Sequence, residues 1–343
     1  MRTDLLIEGA AQLGARLDGW LGSAGAWPEL DAAVEAGARD NVLFTPYMQR
    51  RALEALSSTF LKEDVLRAWL SRYPAGSGMS RLSQERVCGV VASGNIPAVA
   101  FHDILSVMAA GWRPVVKLSS KDRYLLPVLF PDVEFCSSVD GWDVGAIVTM
   151  GGDEAASFFR NRFSGIPSLI RSGRFSVAVL DGRETEKELD ALAEDMLLYY
   201  GLGCRSVTCL LVPRDYDAGN LLRSVERFAV RHLGSLAKNA HRRNRAVLAL
   251  AGESFLDGGT VILRDLRALC GRLCDCRPYG MDLPLCTAWY AEYEDDGEIR
   301  EFVSRNSDRI QKIITNFGSA QRPAVDDYPD GVDTVGFLRE LKH

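Results

Sequence analysis

The chain has 343 residues, 47% of them hydrophobic, eight cysteines and a formal net charge of −6. With a mean hydropathy of −0.04 and a pI near 5.4, it has ordinary globular composition and enough material for about two domains. These values exclude a disulfide scaffold and an electrostatic attraction to a nucleic-acid backbone. No stretch reaches the ~18 uncharged apolar residues of a membrane span. Met1 to Glu8 lacks the apolar core of a signal peptide, so reduced thiols in a cytoplasm are expected.

Residues 1–73 read as helical. Leu5, Leu6, Ala10, Leu13, Leu17 and Leu21 recur at helix spacing, as do Leu53, Leu56, Phe60, Leu61, Val65, Leu66 and Trp69. The tract 74–78, rich in Gly and Ser, reads as a loop. The texture then changes. Val87-Cys88-Gly89-Val90-Val91-Ala92 is a short apolar run closed by Ser93-Gly94-Asn95-Ile96-Pro97. An amphipathic stretch from Val99 to Ala110, a stop at Gly111, and a second run, Val115-Val116-Lys117-Leu118, follow. A third run, Val144 to Met150, ends at Gly151-Gly152. Strands alternating with helices at these lengths predict right-handed crossovers in a parallel sheet. Such sheets bind ligands at the carboxyl ends of their strands, where Ser93 to Asn95, Lys117 to Ser120 and Gly151-Gly152 would sit.

The second half repeats this pattern: a strand at Phe175 to Leu180, a helix from about Glu184 to Tyr200, and a buried strand from Ser206 to Pro213. A domain boundary is expected near Asp181, giving domains 1–180 and 181–343 with a C-terminal docking tail. Between that helix and strand lies Gly201-Leu202-Gly203-Cys204. Two glycines permit a tight bend and leave room beside the sulfur, so Cys204 is expected to be accessible. Cys88 and Cys209, in mid-strand, are not. On spacing alone a small hydrophobe filling a turn is the better reading of Cys204, and the other motifs reverse it.

Four segments in chain order resemble the aldehyde dehydrogenase superfamily. They are Asn95-Ile96-Pro97, the Ala109-Ala110-Gly111 to Lys117 register, Thr149-Met150-Gly151-Gly152, and Gly201-Leu202-Gly203-Cys204. Within the superfamily the chain is similar to the acyl-CoA reductases typified by the LuxC-like component of bacterial fatty-acid reductase. That likeness rests on Ser93 to Pro97, Lys117-Leu118-Ser119-Ser120-Lys121-Asp122, Tyr200 to Arg205, and the tail from Asp327 to Thr334. The resemblance implies an α/β fold with a Rossmann-type nucleotide-binding domain, an α/β catalytic domain and a helical N-terminal segment. It further implies Cys204 as nucleophile and Asn95 as oxyanion donor. Lys117, Ser119, Ser120, Lys121, Gly151 and Gly152 would bind the cofactor. The substrate would be an acyl-CoA or protein-bound acyl thioester, with an acyl-activating or acyl-transferring partner protein; homo-oligomerisation stays open.

Departures sharpen this expectation. Hydrolytic relatives carry a water-activating Glu in a Glu-Leu-Gly-Gly segment; the corresponding stretch here, Gly173 to Ala178, has no acid. An acyl-cysteine without such a base is suited to exchange with a thiol rather than to hydrolysis. The position three residues after Lys117, a Glu in many NAD-preferring relatives, is Ser120, followed by Lys121. That favours the 2′-phosphate of NADPH. The rival reading is a non-redox acyl transferase or acyl carrier using the same cysteine. Asp282-Leu283-Pro284 is the nearest match to a later family segment and receives no cofactor role. Cys270, Cys274 and Cys276 lack the paired spacing of a structural metal site and read as buried thiols, so no metal is expected. His102 reads as a surface or capping residue, 241–245 as a solvated basic run, and 292–296 as a solvated acidic loop.

Overall fold

The computed structural model describes residues 2–73, 86–278 and 283–341; the tract 74–78 and Asp282 lie outside them. The chain forms two compact units, Met1–Ser172 with Arg322–His343, and Gly173–Gln321.

The first unit opens with four helices, α1 (Arg2–Gly22), α2 (Pro28–Asp40), α3 (Pro46–Thr59) and α4 (Glu63–Leu70). Proline begins α2 and α3, where its missing N–H costs nothing, and the Thr45 hydroxyl caps α3 by accepting from Met48 N–H. The apolar spacing that runs from Leu53 to Trp69 is split between two helices. At the end of α3 the hydroxyls of Ser58 and Thr59 bond carbonyls a turn back, at 2.8 Å each, and the helix stops.

A parallel sheet follows, built from β1 (Val87–Val91), α5 (Phe101–Ala109), β2 (Arg113–Lys117), α6 (Leu125–Leu129), β3 (Glu134–Cys136), β4 (Ala146–Gly151), α7 (Asp153–Arg162) and β5 (Ser168–Ser172). The strand order is β3-β2-β1-β4-β5, every pair parallel. The chain leaves β1 toward one edge and later returns to its other side at β4. The sheet therefore has a topological switch at the carboxyl end of β1, the place where open α/β sheets take ligands. Cys88, Val90, Val116 and Val148 bury one face against Ile104, Leu105 and Val107 of α5.

The second unit contains β6 (Phe175–Val179), α8 (Glu186–Leu197), β7 (Val207–Pro213), α9 (Gly219–His232), α10 (Gly234–Ala251), β8 (Phe255–Asp257), β9 (Ile262–Asp265), α11 (Leu266–Cys270), β10 (Thr287–Tyr293), α12 (Asp296–Arg305) and β11 (Ile310–Ile314). Its sheet runs β11-β6-β7-β10-β9-β8, parallel except for the β8–β9 pair. Thr185 and Glu188 form a reciprocal capping box that starts α8. The acidic run 292–296 is not a free loop: Glu292 and Tyr293 complete β10, and the Asp295 carboxylate caps α12 by accepting from Gly297 and Glu298 N–H. The basic run 241–245 lies on α10, where His241 and Asn244 are buried, His241 bonding Asp257 at 2.7 Å.

The C-terminal segment, ending in α13 (Thr334–Glu340), belongs to the first unit. This differs from the expected partition: the division falls at Ser172, and the tail is not part of the second unit. The tail is held by burial and by polar pairs. Val325, Tyr328, Val335 and Leu338 join the same core as Trp69 and α5. Arg171 of β5 donates to Asp103 at 2.6 Å and to the Thr334 hydroxyl at 2.7 Å, all three side chains buried. His102 is correspondingly not a surface residue. It is buried, its Nε2 lies 2.7 Å from the Val325 carbonyl, and its ring packs against Phe60 and Tyr328.

Candidate active site

Val91, the last residue of β1, pairs in register with Lys117 on one side and Thr149 on the other. The three segments expected to hold a nucleotide thus leave adjacent strands at one level of the sheet. The first two are fastened together. Ala92 N–H donates to Lys117 carbonyl at 3.0 Å, and Asn41 Nδ2 donates to the Lys121 carbonyl at 3.0 Å. Asp122 accepts from Ala98 N–H at 2.7 Å. Asp122 is buried, and desolvation pushes its carboxyl up to about 6 although the bond from Ala98 opposes this. Gly94 is required by this closeness, since a Cβ there would stand 2.7 Å from Lys121 Cβ.

Among the expected cofactor residues, Lys117 is half-buried, and Ser120 and Lys121 are exposed. Ser119 is turned into its own loop, where its hydroxyl accepts from Lys121 N–H at 3.2 Å. Gly151 ends β4 and Gly152 caps α7 with nothing within 4 Å of its open side. A helix N-terminus with an unobstructed glycine at a strand end suits a phosphate. Asn95 is exposed beside this loop pair. Sequence reasoning missed Asn41, which sits past the end of α2 far from any motif; only the structure shows what it fastens.

Cys204 lies in the second unit, in the turn that enters β7. That turn is bent hard. Tyr200, Gly201 and Gly203 have φ of 58°, 81° and 88°. Glycine tolerates this region, but Tyr200 does so at a steric cost. The Tyr200 conformation is held from several sides. Its ring is buried, its N–H bonds the Leu197 carbonyl at 2.8 Å, its carbonyl accepts from Cys286 N–H at 2.9 Å, and its hydroxyl donates to Leu233 at 3.2 Å. Burial pushes the phenol up to about 12. A strained backbone kept in place by its surroundings is common where a side chain must be presented.

The turn beyond it is equally fastened. Ser176 of β6 donates to the Cys204 carbonyl at 2.8 Å, and the Ser206 hydroxyl donates to Leu202 at 2.6 Å. The Gly173 to Ala178 stretch therefore adjoins Cys204 through a serine. Asp195 of α8 is committed elsewhere, accepting from Gly318 N–H at 2.6 Å and Ala320 N–H at 3.0 Å. Burial pushes it up to about 6. Cys204 is partly exposed as a residue, whereas Cys88, Cys209 and Cys286 are buried. Burial drives Cys88 and Cys209 well above the ordinary thiol range and Cys286 up to about 12. A thiol that resists ionisation is a poor nucleophile, so these three are structural. Among the described residues no group of three or more His, Cys, Asp or Glu side chains converges to hold a metal ion, and no helix is long and apolar enough to cross a membrane.

The arrangement of one parallel and one mainly parallel sheet matches known structures. The fold is that of the aldehyde dehydrogenases. Aldehyde dehydrogenase 21 from Physcomitrella patens, in complex with the product succinate, superposes with a TM-score of 0.61 at 10% identity, covering 96% of this chain and 81% of that one. The NAD+ complex of an aldehyde dehydrogenase from Bacillus cereus gives 0.59 at 11% identity, with 89% and 69% covered. Proline utilization A from Corynebacterium freiburgense gives 0.56 at 15%, with 88% of this chain covered; this chain spans 35% of that longer one. No protein-family model and no curated protein matches the sequence.

Proposed function

We propose that this chain is a nicotinamide-dependent oxidoreductase of aldehyde-level chemistry. Its reaction is the NADPH-dependent reduction of an acyl thioester, a fatty acyl-CoA or a protein-bound equivalent, to the aldehyde. The observation that carries this reading is the Cys204 turn: a partly exposed cysteine on a strained, fastened backbone, beside a β6 segment that offers serine and no acid. The aldehyde dehydrogenase fold and the level strand ends of the first sheet support it.

Cys204, as thiolate, attacks the thioester carbonyl. The carbonyl π electrons move to oxygen, the acyl–sulfur bond of the donor then breaks, and the departing thiol takes a proton, leaving an acyl-cysteine. The Cys204 backbone N–H would donate to the negative oxygen, and the Asn95 amide is proposed as a second donor on the resemblance alone. One such donor is worth about 3 kcal/mol. With no acid on Gly173 to Ala178 to activate water, the acyl-enzyme persists. When bound, NADPH would supply hydride. Lys117, Ser120 and Lys121 would hold its adenosine ribose phosphate, with Ser119 shaping their loop, and Gly151-Gly152 would face its phosphates. The thiohemiacetal on Cys204 then collapses to free aldehyde and thiolate.

The test is to mix the chain with acyl-CoAs of increasing length and NADPH, following loss of nucleotide absorbance and trapping the aldehyde. Cys204→Ser abolishes both aldehyde formation and covalent acyl labelling, while Cys209→Ser and Cys88→Ser retain labelling. Labelling of Cys204 with no nucleotide consumption would favour the non-redox acyl transferase; equal labelling of wild type and Cys204→Ser would remove Cys204 from the chemistry.

A further inference from the structure

The strained backbone that leads to Cys204 is bonded to a second strained turn. Pro284 to Thr287 form a tight turn, closed by Thr287 N–H donating to the Pro284 carbonyl at 3.2 Å. Its third residue, Cys286, has a φ of 58°, whereas Leu285 before it is not left-handed. That is the pattern of a type II turn, with a cysteine at the position that ordinarily takes glycine or asparagine. Turning the Leu285–Cys286 peptide over would give the type I form and remove the strain. Two hydrogen bonds oppose this reversal, one at each end of the same peptide group. Its N–H, on Cys286, donates to the Tyr200 carbonyl at 2.9 Å, and its carbonyl, on Leu285, accepts from Asn244 Nδ2 at 3.0 Å. Asn244 is buried in the middle of α10, on one stripe with Ala237, His241 and Leu248. An asparagine there weakens the helix relative to alanine or leucine, and the bond to Leu285 is what it supplies instead. The rotation of α10 is fixed from the same side: His241 bonds Asp257 at 2.7 Å, and Arg245 reaches that carboxylate at 3.1 Å.

We propose that Asn244 is a positioning residue for Cys204, acting through the Leu285–Cys286 peptide and Tyr200. With the Asn244 amide in place, the peptide keeps its N–H on the Tyr200 carbonyl, and the left-handed Tyr200 backbone persists. The chain then enters the turn 201–204 in the one direction that sets Cys204 at the head of β7. Without that donor the peptide turns over and Cys286 relaxes. Tyr200 loses the N–H that held its carbonyl, and its own strain re-aims the residues that follow. The two bonds also reinforce each other, because a carbonyl that accepts makes the N–H of the same peptide a better donor. The inference rests on the proposed chemistry of Cys204 only for its effect on turnover; the reactivity of the thiol is measured without substrate or nucleotide.

The test is the rate of Cys204 alkylation by iodoacetamide in the full chain, read by mass spectrometry after trypsin digestion. Cleavage after Lys187 and Arg205 isolates Cys204 from every other cysteine. Asn244→Ala, which favours the helix, and Asn244→Leu, which fills the site, should each slow alkylation of Cys204 by about tenfold. Cys136 and Cys270, the other partly exposed cysteines, should react as in wild type. Adding Cys286→Gly to Asn244→Leu should restore most of the rate, because glycine takes a positive φ without strain and the turn no longer needs Asn244. A role confined to packing α10 would gain nothing from that glycine, which only deletes a buried side chain. Unchanged alkylation of Cys204 in both single variants, a change shared equally by Cys136 and Cys270, or no restoration by Cys286→Gly would overturn the proposal. The acyl-reductase reading fails separately. Slowed alkylation beside a wild type that forms no aldehyde would retire that reading and leave Asn244 in its role. Aldehyde formation that requires Cys204 yet runs at full rate in Asn244→Leu would overturn the role of Asn244 alone.

Discussion

The Asp122 carboxylate and the Ala98 N–H, 2.7 Å apart, tie the loop after β1 to the loop after β2. Ala98 has a φ of 53°, a left-handed conformation that costs a non-glycine residue about 1–2 kcal/mol. The bond offsets that cost and fixes the backbone next to Asn95. Because burial raises the Asp122 carboxyl to about 6, from 3.8, the folded state holds its proton more tightly than the unfolded chain. The stability this contributes is complete below pH ~4 and is lost as pH rises through ~6. Asp122→Asn keeps an acceptor but cannot ionise. Wild type should therefore lose up to about 3 kcal/mol relative to Asp122→Asn between pH 4 and 7.5, measured by urea unfolding. A pH-independent difference would show that the carboxylate is not desolvated.

Asn95→Ala should lower turnover by about two orders of magnitude while leaving nucleotide affinity intact, the loss typical of one oxyanion donor. Because Asn95 is exposed, the melting temperature should hardly move. A raised KM with unchanged kcat would make Asn95 a residue that binds the ground state.

Ser120→Glu places a carboxylate on the exposed loop proposed to face the 2′-phosphate. Like charges repel, and a carboxylate pairs well with unmodified ribose hydroxyls. The ratio of kcat/KM for NADPH over NADH should fall by tenfold or more, on the order of 1.4 kcal/mol, with acylation of Cys204 preserved. An unchanged ratio would refute the cofactor register drawn from Ala109 to Lys121.

Tyr328→Phe tests the tail. The Tyr328 hydroxyl accepts from Trp69 Nε1 at 2.7 Å and lies 2.6 Å from the Tyr73 hydroxyl, which itself donates to Asp333 at 2.7 Å. Phenylalanine keeps the packing and strips the buried indole N–H of its acceptor. Denaturant unfolding should show a loss of about 1–3 kcal/mol, with kcat within twofold of wild type. A several-fold fall in kcat at undiminished stability would instead make this segment a wall of the substrate channel.

The sequence was most legible where strands are buried on both faces. β1, β2, β4, β6 and β7 are short apolar runs closed by turn residues, and the structure places strands on all five. β3, with three residues, and β11, whose Gln311 and Lys312 interrupt the apolar pattern at a sheet edge, carry no such signal. β10 was hidden differently: Glu292 and Tyr293 look like the start of an acidic loop, yet Tyr293 is anchored by its hydroxyl to the Leu180 carbonyl at 2.7 Å. Long-range partners explain the remaining misses. Nothing near His102 in the sequence announces Val325, and nothing near Asp327 announces Trp69. Conversely, the bend at Cys204 was readable because Gly201 and Gly203 are needed where φ is positive; Tyr200, which shares that conformation, was not.

The second unit is inserted into the first, whose last 22 residues follow it in the sequence. A ribosome therefore finishes the second unit while the first still lacks Val325, Tyr328, Val335 and Leu338 from its core. Throughout that interval Trp69, Phe60 and His102 have no tail to cover them, a sticky surface on a half-made protein. Contacts spanning more than 250 residues, such as Trp69 with Tyr328, close late because loop closure must precede them. A nascent chain halted near Gln321 should thus recruit chaperones and be cut readily by proteases within its first 172 residues, even though its second unit is already whole.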